Sequence, residues 1–119
     1  MNHLYEKLPP REAIEAENRL YELTRTHLEG YKGGLWDEWH PETGVVVYLP
    51  PSQTLWIWEH ADHGPCNLGN RIAAGVVATL FCWSHSNCCG DEYVALMDWV
   101  ARTDKLTPAN RIAIAEAID

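Results

Sequence analysis

Histidine and cysteine side chains recur at short intervals in two segments of the sequence. The first segment holds His60, His63 and Cys66, and the second holds Cys82, His85, Cys88 and Cys89. Imidazole nitrogen and thiolate sulfur are the ligands that zinc prefers in proteins. A helix between the two segments would keep them about 20 Å apart, so the second segment would have to bind a metal by itself. One hypothesis is therefore a zinc site in the second segment; the other is that Cys82 is a buried apolar residue and its neighbours are ordinary loop thiols.

The same second segment places a thiol beside a base and two carboxylates. Cys88 or Cys89 lies close in the sequence to His85, Asp91 and Glu92, and a nucleophilic thiol needs a base that is itself oriented by a third group. The members of such triads usually come together only in the fold, and no family-type cysteine signature surrounds these residues. The sequence therefore predicts no catalytic site and no cofactor, with a metal- or thiol-dependent small enzyme kept as an alternative.

Tryptophan is the third residue type that could carry function. Two of the six tryptophans, Trp56 and Trp58, alternate with Leu55 and Ile57 in a strand-like run, so the two pairs point to opposite faces. We expect the aliphatic pair to face the helices and the tryptophans to be partly exposed. The predicted partner-binding surface consists of Trp36, Asp37, Glu38, Trp56, Trp58 and Glu59, because aromatic anchors dominate interface energetics. The alternative is that the rings only cover a thin sheet.

The charge balance narrows the class of partner. The chain has 119 residues, 9 Lys plus Arg and 17 Asp plus Glu, so its formal net charge is −8. Such a charge opposes a phosphate backbone, which excludes ordinary nucleic-acid binding. The acidic residues are dispersed in runs of at most two, whereas a DNA mimic needs a dense carboxylate array. A solvated acidic surface that contacts protein is the expectation.

The location of the protein is also an expectation from the sequence. The N-terminus lacks the basic start and apolar core of a secretory signal, and the longest uncharged stretch, residues 72–90, is interrupted by polar residues. We therefore expect a cytoplasmic protein with reduced thiols and no membrane segment.

Hydrophobic periodicity predicts the elements that must position these residues. An amphipathic helix runs from Pro10 to Leu28, and a β-hairpin lies between Leu35 and Leu49. A third antiparallel strand covers Thr54 to Trp58. Three helices follow: one from Ile72 to about Ser84 after a cap at Asn70 or Asn67, one from Asp91 to Arg102, and a short one after Thr107 and Pro108. The predicted fold is α+β, one domain over residues 1–119, with an N-terminal helix, a three-stranded antiparallel sheet and three helices.

Several segments resemble the ArdB/KlcA family of antirestriction proteins, which plasmids and other mobile elements carry. The run from Tyr31 to Trp36 resembles the family's Y-x-G-G-x-W segment, and the run from Ala73 to Leu80 is similar to its A-A-G-I-x-x-T-L helix. Shorter likenesses are Leu8 with Pro9, Glu17 with Tyr21, Gly44 to Pro50, and the final Ala117, Ile118 and Asp119. Together they cover nearly the whole chain in order.

The central motif residues have predicted structural roles. These residues are Tyr31, Gly33, Gly34, Ala73, Ala74 and Gly75. Gly33 and Gly34 permit the turn from helix into strand, and Gly75 permits close packing of the central helix.

The resemblance implies a function that the residues alone do not indicate. It implies a small α+β protein that relieves restriction of incoming DNA by type I systems and is not an enzyme. The implied partner is a bacterial defence protein or its regulator. The alternatives are an inhibitor of another defence complex, such as a CRISPR effector, and the metal- or thiol-dependent enzyme described above.

Overall fold

Helices form most of the structure, which is a computed structural model that describes residues 1–86 and 89–119. Over these residues the helices are α1 (Asn2–Lys7), α2 (Pro10–His27), α3 (Arg71–Ser84), α4 (Gly90–Arg102) and α5 (Pro108–Ile118). The strands are β1 (Asp37–Glu42), β2 (Val45–Leu49), β3 (Ile57–His60) and β4 (Gly64–Asn67). The α+β class and the four longer helices were predicted from the sequence, and α1 and β4 were not.

Helix α3 lies at the centre of the core and packs against β2 and the three other long helices. Its first turn is capped by Asn70, whose side chain accepts a hydrogen bond from the Ala73 amide at 2.8 Å, which satisfies a backbone donor that the helix leaves free. Gly75 allows β2 to approach closely, because a Cβ there would lie 2.7 Å from the Tyr48 carbonyl oxygen. The Thr79 hydroxyl also accepts a hydrogen bond from the Tyr48 amide at 2.9 Å. Among the described residues, no helix is long and apolar enough to cross a membrane.

The prediction of one three-stranded sheet is wrong, because the strands form two separate two-stranded sheets. Strands β1 and β2 form the predicted hairpin, which turns at Gly44 with a positive φ of 84°. Pro50 and Pro51 follow β2, and since proline has no backbone N–H to donate to a ladder, the chain leaves the first sheet there. Strand β3 then pairs with β4, a strand that was not predicted from the sequence.

The predicted orientation of the tryptophan pair is also wrong. Trp58 is 1% exposed and Trp56 is 9% exposed, whereas Leu55 is 57% exposed. The Trp58 ring lies between two others, stacked on Phe81 at 5.8 Å and on His27 at 5.3 Å. Burying the indole rings removes more apolar area from water than burying the aliphatic side chains would, and this explains the reversal. The two tryptophans therefore belong to the core and form no exposed sheet face.

Candidate functional site

A row of aromatic side chains lies where α1, α2 and the loop before β1 meet. We call it the aromatic patch, and it consists of Tyr5, Tyr21, Tyr31 and Trp36 with the carboxylate of Glu17 among them. Glu17 and Tyr21 are four residues apart on α2, so they lie on the same face one turn apart. Tyr5 comes from α1, and the other two rings come from the loop between α2 and β1.

Hydrogen bonds and ring contacts fix the geometry of the aromatic patch. The Tyr21 hydroxyl donates to Glu17 Oε1 at 2.9 Å, and the Tyr21 ring lies 6.1 Å from the Trp36 ring. Trp36 Nε1 donates to the Tyr31 hydroxyl at 3.0 Å, with their ring centroids 6.0 Å apart in an edge-to-face arrangement. Each of these rings is half-buried, so a part of each remains open to a partner.

The loop that carries Tyr31 and Trp36 depends on glycine. Gly33 and Gly34 have φ values of 83° and 120°, in the region that side chains disfavour. A Cβ on Gly34 would also lie 3.0 Å from the ring of Pro51. The next residue, Leu35, has a large apolar side chain that is 90% exposed, and it directly precedes Trp36 in the sequence. The loop therefore presents Leu35 to solvent next to Trp36.

The electrostatics of the aromatic patch depend on Glu17. Among residues 1–86 and 89–119, no Lys, Arg or His side chain forms an ion pair with Glu17. Burial raises the pKa of the Tyr21 phenol, and the hydrogen bond and negative charge of Glu17 raise it further. A hydrogen bond to Glu17 likewise raises the pKa of Tyr5, with desolvation and the carboxylate charge adding to it. The phenols therefore stay protonated as hydrogen-bond donors, and within the described part of the chain Glu17 has no ion-pair partner.

The predicted partner-binding residues are only partly brought together. Trp36 belongs to the aromatic patch, and Asp37, the next residue, is exposed and pairs with Arg71 at 2.7 Å. Glu38 faces α1 instead, and Glu59 is exposed on β3. Partner binding through these four predicted residues stays a prediction.

A second polar group, which we call the polar cluster, ties α1 to β1 and α4. It consists of His3, Lys7, Glu38, His40 and Glu92. The His3 amide donates to Glu38 Oε1 at 2.8 Å, and Glu92 lies 3.4 Å from His3 Nε2 and 3.5 Å from Lys7 Nζ. Desolvation by itself would raise the pKa of Glu38, but hydrogen bonds from His40 and from the His3 amide outweigh it and lower the pKa. Each carboxylate here has basic partners, so the cluster anchors α1.

The structure places the residues of the cysteine hypotheses in different environments, although Cys82 and Cys89 lie close enough to interact. Cys82 is fully buried, and burial raises the pKa of its thiol to about 12, so it is protonated at neutral pH. His85 is exposed, and its Nδ1 lies 2.8 Å from the Phe81 carbonyl oxygen. Cys89 is buried, and Cys88 lies outside the described residues. Glu92 contacts α1 through the polar cluster.

Within the part of the chain that the structure describes, no group of three His, Cys, Asp or Glu residues could hold a metal ion. Zinc binding that includes Cys88 stays a prediction.

The residues of the first histidine and cysteine segment also make structural contacts. The rings of His60 and His63 lie 4.5 Å apart, but His60 Nδ1 accepts hydrogen bonds from the backbone amides of Asp62 and His63. Cys66 is buried in β4, and burial raises the pKa of its thiol. These contacts hold the turn between β3 and β4.

Sequence reasoning missed the centre of the aromatic patch. It noted Glu17, Tyr21 and Tyr31 only as parts of a resemblance, it predicted Trp36 as a partner-binding residue, and it did not single out Tyr5. The spacing of Glu17 and Tyr21 on one helix face was visible in the sequence. The contact of α1 with that face depends on tertiary packing, which no local pattern shows.

The fold and the composition together define a small acidic α+β protein, and the aromatic patch is partly exposed on its surface. No protein-family profile and no curated protein sequence matches the chain. The fold is similar to that of a solved structure of the KlcA and ArdB proteins, described as showing a novel fold and antirestriction activity against Type I DNA restriction systems in vivo but not in vitro. The two chains are 24% identical, and the match covers 99% of this chain and 87% of the other with a TM-score of 0.71. The chain therefore has the ArdB/KlcA-like fold that the sequence resemblance implied.

Proposed function

We propose that the protein relieves type I restriction of DNA inside the cell and does so by binding another protein. The observation that carries this proposal is the fold, which matches over 99% of the chain a structure whose described activity is antirestriction against Type I systems. The likeness in ordered sequence motifs and the likeness in three-dimensional structure point the same way.

The charge and the surface support a protein partner. A net charge of −8 opposes direct contact with the DNA that a restriction system cuts. An aromatic patch with tyrosine and tryptophan is typical of protein interfaces, in which these residues carry much of the binding energy. The expected partner is a component of the restriction system or a protein that regulates it.

The proposal also holds that the protein acts without catalysis. Support comes from the described thiols: burial raises the pKa of Cys82 and of Cys66, and the thiolate is the nucleophilic form. The carboxylates Glu38 and Glu92 are occupied in ion pairs and hydrogen bonds that hold α1.

Phage plating tests the proposed function directly in cells, where the described activity of the similar protein was seen. Unmodified phage is plated on bacteria that have an active type I system, with and without expression of the protein, and on a restriction-free strain. We expect the efficiency of plating to rise in the restricting strain and to stay constant in the restriction-free strain. An unchanged efficiency in the restricting strain, with the protein shown to be soluble, would contradict the proposal.

A further inference from the structure

We propose that the aromatic patch is a binding site for an arginine side chain of a partner protein. The guanidinium group would pair with the Glu17 carboxylate and lie against the rings of Tyr21 and Trp36. This inference deepens the proposed function and rests on it, because the arginine would belong to the defence protein or regulator that the protein contacts.

The first argument is the unbalanced charge at Glu17. Glu22, Asp37, Glu42 and Asp98 each pair with an arginine, whereas the half-buried Glu17 pairs with none among the residues that the structure describes. Residues 87 and 88, which the structure does not describe, are Asn and Cys, so neither side chain is a cation. The nearest polar partners of Glu17 are neutral phenols, which orient the carboxylate without neutralising it. A half-buried carboxylate of this kind attracts a cation from outside.

The second argument is the aromatic surface beside that charge. A cation within about 6 Å of a ring face is attracted by the ring quadrupole, most strongly by tryptophan. The Trp36 ring is held 6.1 Å from the Tyr21 ring, and Tyr21 itself is hydrogen-bonded to Glu17. Through Tyr21, the carboxylate and the two rings therefore form one connected surface, on which the proposed guanidinium group would lie.

The third argument is the planarity of the guanidinium group. Arginine stacks on aromatic faces and donates parallel N–H bonds to a carboxylate, whereas the ammonium of lysine is a compact, strongly hydrated charge. A site that combines flat rings with one carboxylate fits the planar guanidinium group better than the ammonium group. The rings are held in advance by the Trp36 to Tyr31 hydrogen bond, which lowers the entropy cost of ordering them on binding.

The exposed Leu35 extends the same surface. It is 90% exposed and adjacent to Trp36 in the chain, and a partner that also covers Leu35 would remove its apolar area from water. The partner that fits this surface presents an arginine beside an apolar side chain.

Binding of the guanidinium group can be measured apart from activity. N-acetyl-arginine amide is titrated into the isotopically labelled full chain at low salt, and the indole N–H resonance of Trp36 is followed by NMR. N-acetyl-citrulline amide, which has nearly the same shape without the charge, is the ligand control. We expect the arginine probe to shift the Trp36 resonance and the citrulline probe to leave it in place.

Conservative variants identify the group responsible. Glu17→Gln removes the charge with little change in shape, and we expect it to lose the arginine-induced shift. Glu116→Gln removes an exposed charge of α5, and we expect it to keep the shift. Equal shifts in wild type and Glu17→Gln, or no shift of Trp36 in wild type, would overturn the proposal.

The cellular test uses the same variants in the phage-plating assay. We expect Glu17→Gln and Trp36→Phe to lose most of the relief of type I restriction and Glu116→Gln to retain it, at equal amounts of soluble protein. Full relief by Glu17→Gln would overturn the assignment of the aromatic patch as the contact surface. If wild type itself gives no relief, the proposed function fails, and the NMR titration still decides whether the arginine site exists.

Discussion

Gly75 sets the distance between α3 and β2 at the centre of the molecule. A Cβ at this position would lie 2.7 Å from the Tyr48 carbonyl oxygen and 3.0 Å from Leu49 Cδ2. The nearest atom is backbone, so the strand or the helix would have to move to make room. The close approach also places the Thr79 hydroxyl within 2.9 Å of the Tyr48 amide, so one glycine supports both packing and a hydrogen bond.

We predict that Gly75→Ala lowers the free energy of unfolding by about 1–3 kcal/mol, the usual cost of overpacking a core. Gly90→Ala is the matched control, since nothing lies within 4 Å of a Cβ there and alanine favours helices. Urea unfolding of both variants measures the difference. Wild-type stability of Gly75→Ala would show that the helix and the strand are not held this closely.

Single residues also show where a sequence pattern is incomplete. The period of two predicts that Trp56 and Trp58 share one face, but it does not say which face is buried. That choice depends on the neighbours of β3, because Trp58 finds Phe81 and His27 on either side of its ring. The contacts come from α3 and α2, so they follow from the fold and not from the strand itself.

At the scale of elements, α1 is held mainly by tertiary contacts. It has six residues, fewer than an isolated helix needs for stability. Leu4 is fully buried, and the polar cluster joins His3 to Glu38 and Glu92. Because those partners lie more than thirty residues away along the chain, local periodicity gave no sign of the helix.

The polar cluster predicts a pH dependence of stability. Hydrogen bonds lower the pKa of Glu38 below its ordinary value of 4.5, so the folded state favours the carboxylate more than the unfolded state does. The stabilisation is complete above that ordinary value and is lost as the pH falls through the lowered pKa. We therefore expect Glu38→Gln to have a lower Tm than wild type at pH 7 and the gap to narrow below pH 4.5.

Thermal unfolding between pH 7 and pH 3 measures this gap. Glu116→Gln is the control, because Glu116 is exposed and makes no ion pair among the described residues. A difference between wild type and Glu38→Gln that stays constant over the whole range would contradict the role given to Glu38.

The other elements could be predicted where the sequence pattern that specifies them lies within the element itself. The four longer helices and the first hairpin carry their periodicity within their own residues. Helix α5 also has a local cap, because Thr107 and Asn110 form its capping box. The pairing of β3 with β4 instead depends on where the chain goes after Pro50 and Pro51. Four residues in β4, one of them Pro65, carry too little strand signal to be recognised.

At the scale of the whole molecule, the fold and the surface carry different information. The fold matches the KlcA and ArdB structure although only 24% of residues are identical, because buried positions tolerate many apolar side chains of similar volume. A fold of this kind does not by itself specify a target. The aromatic patch and the net charge of −8 are the features from which we propose a basic protein surface, and not nucleic acid, as the partner.

Specific relief of type I restriction is the central claim, and one comparison in cells tests it most directly. The efficiency of plating of unmodified phage is measured on isogenic hosts that have a type I system, a type II system or no restriction system, with and without the protein. We predict a rise in the type I host and no change in the other two. No rise in the type I host, or an equal rise in the type II host, would contradict the claim.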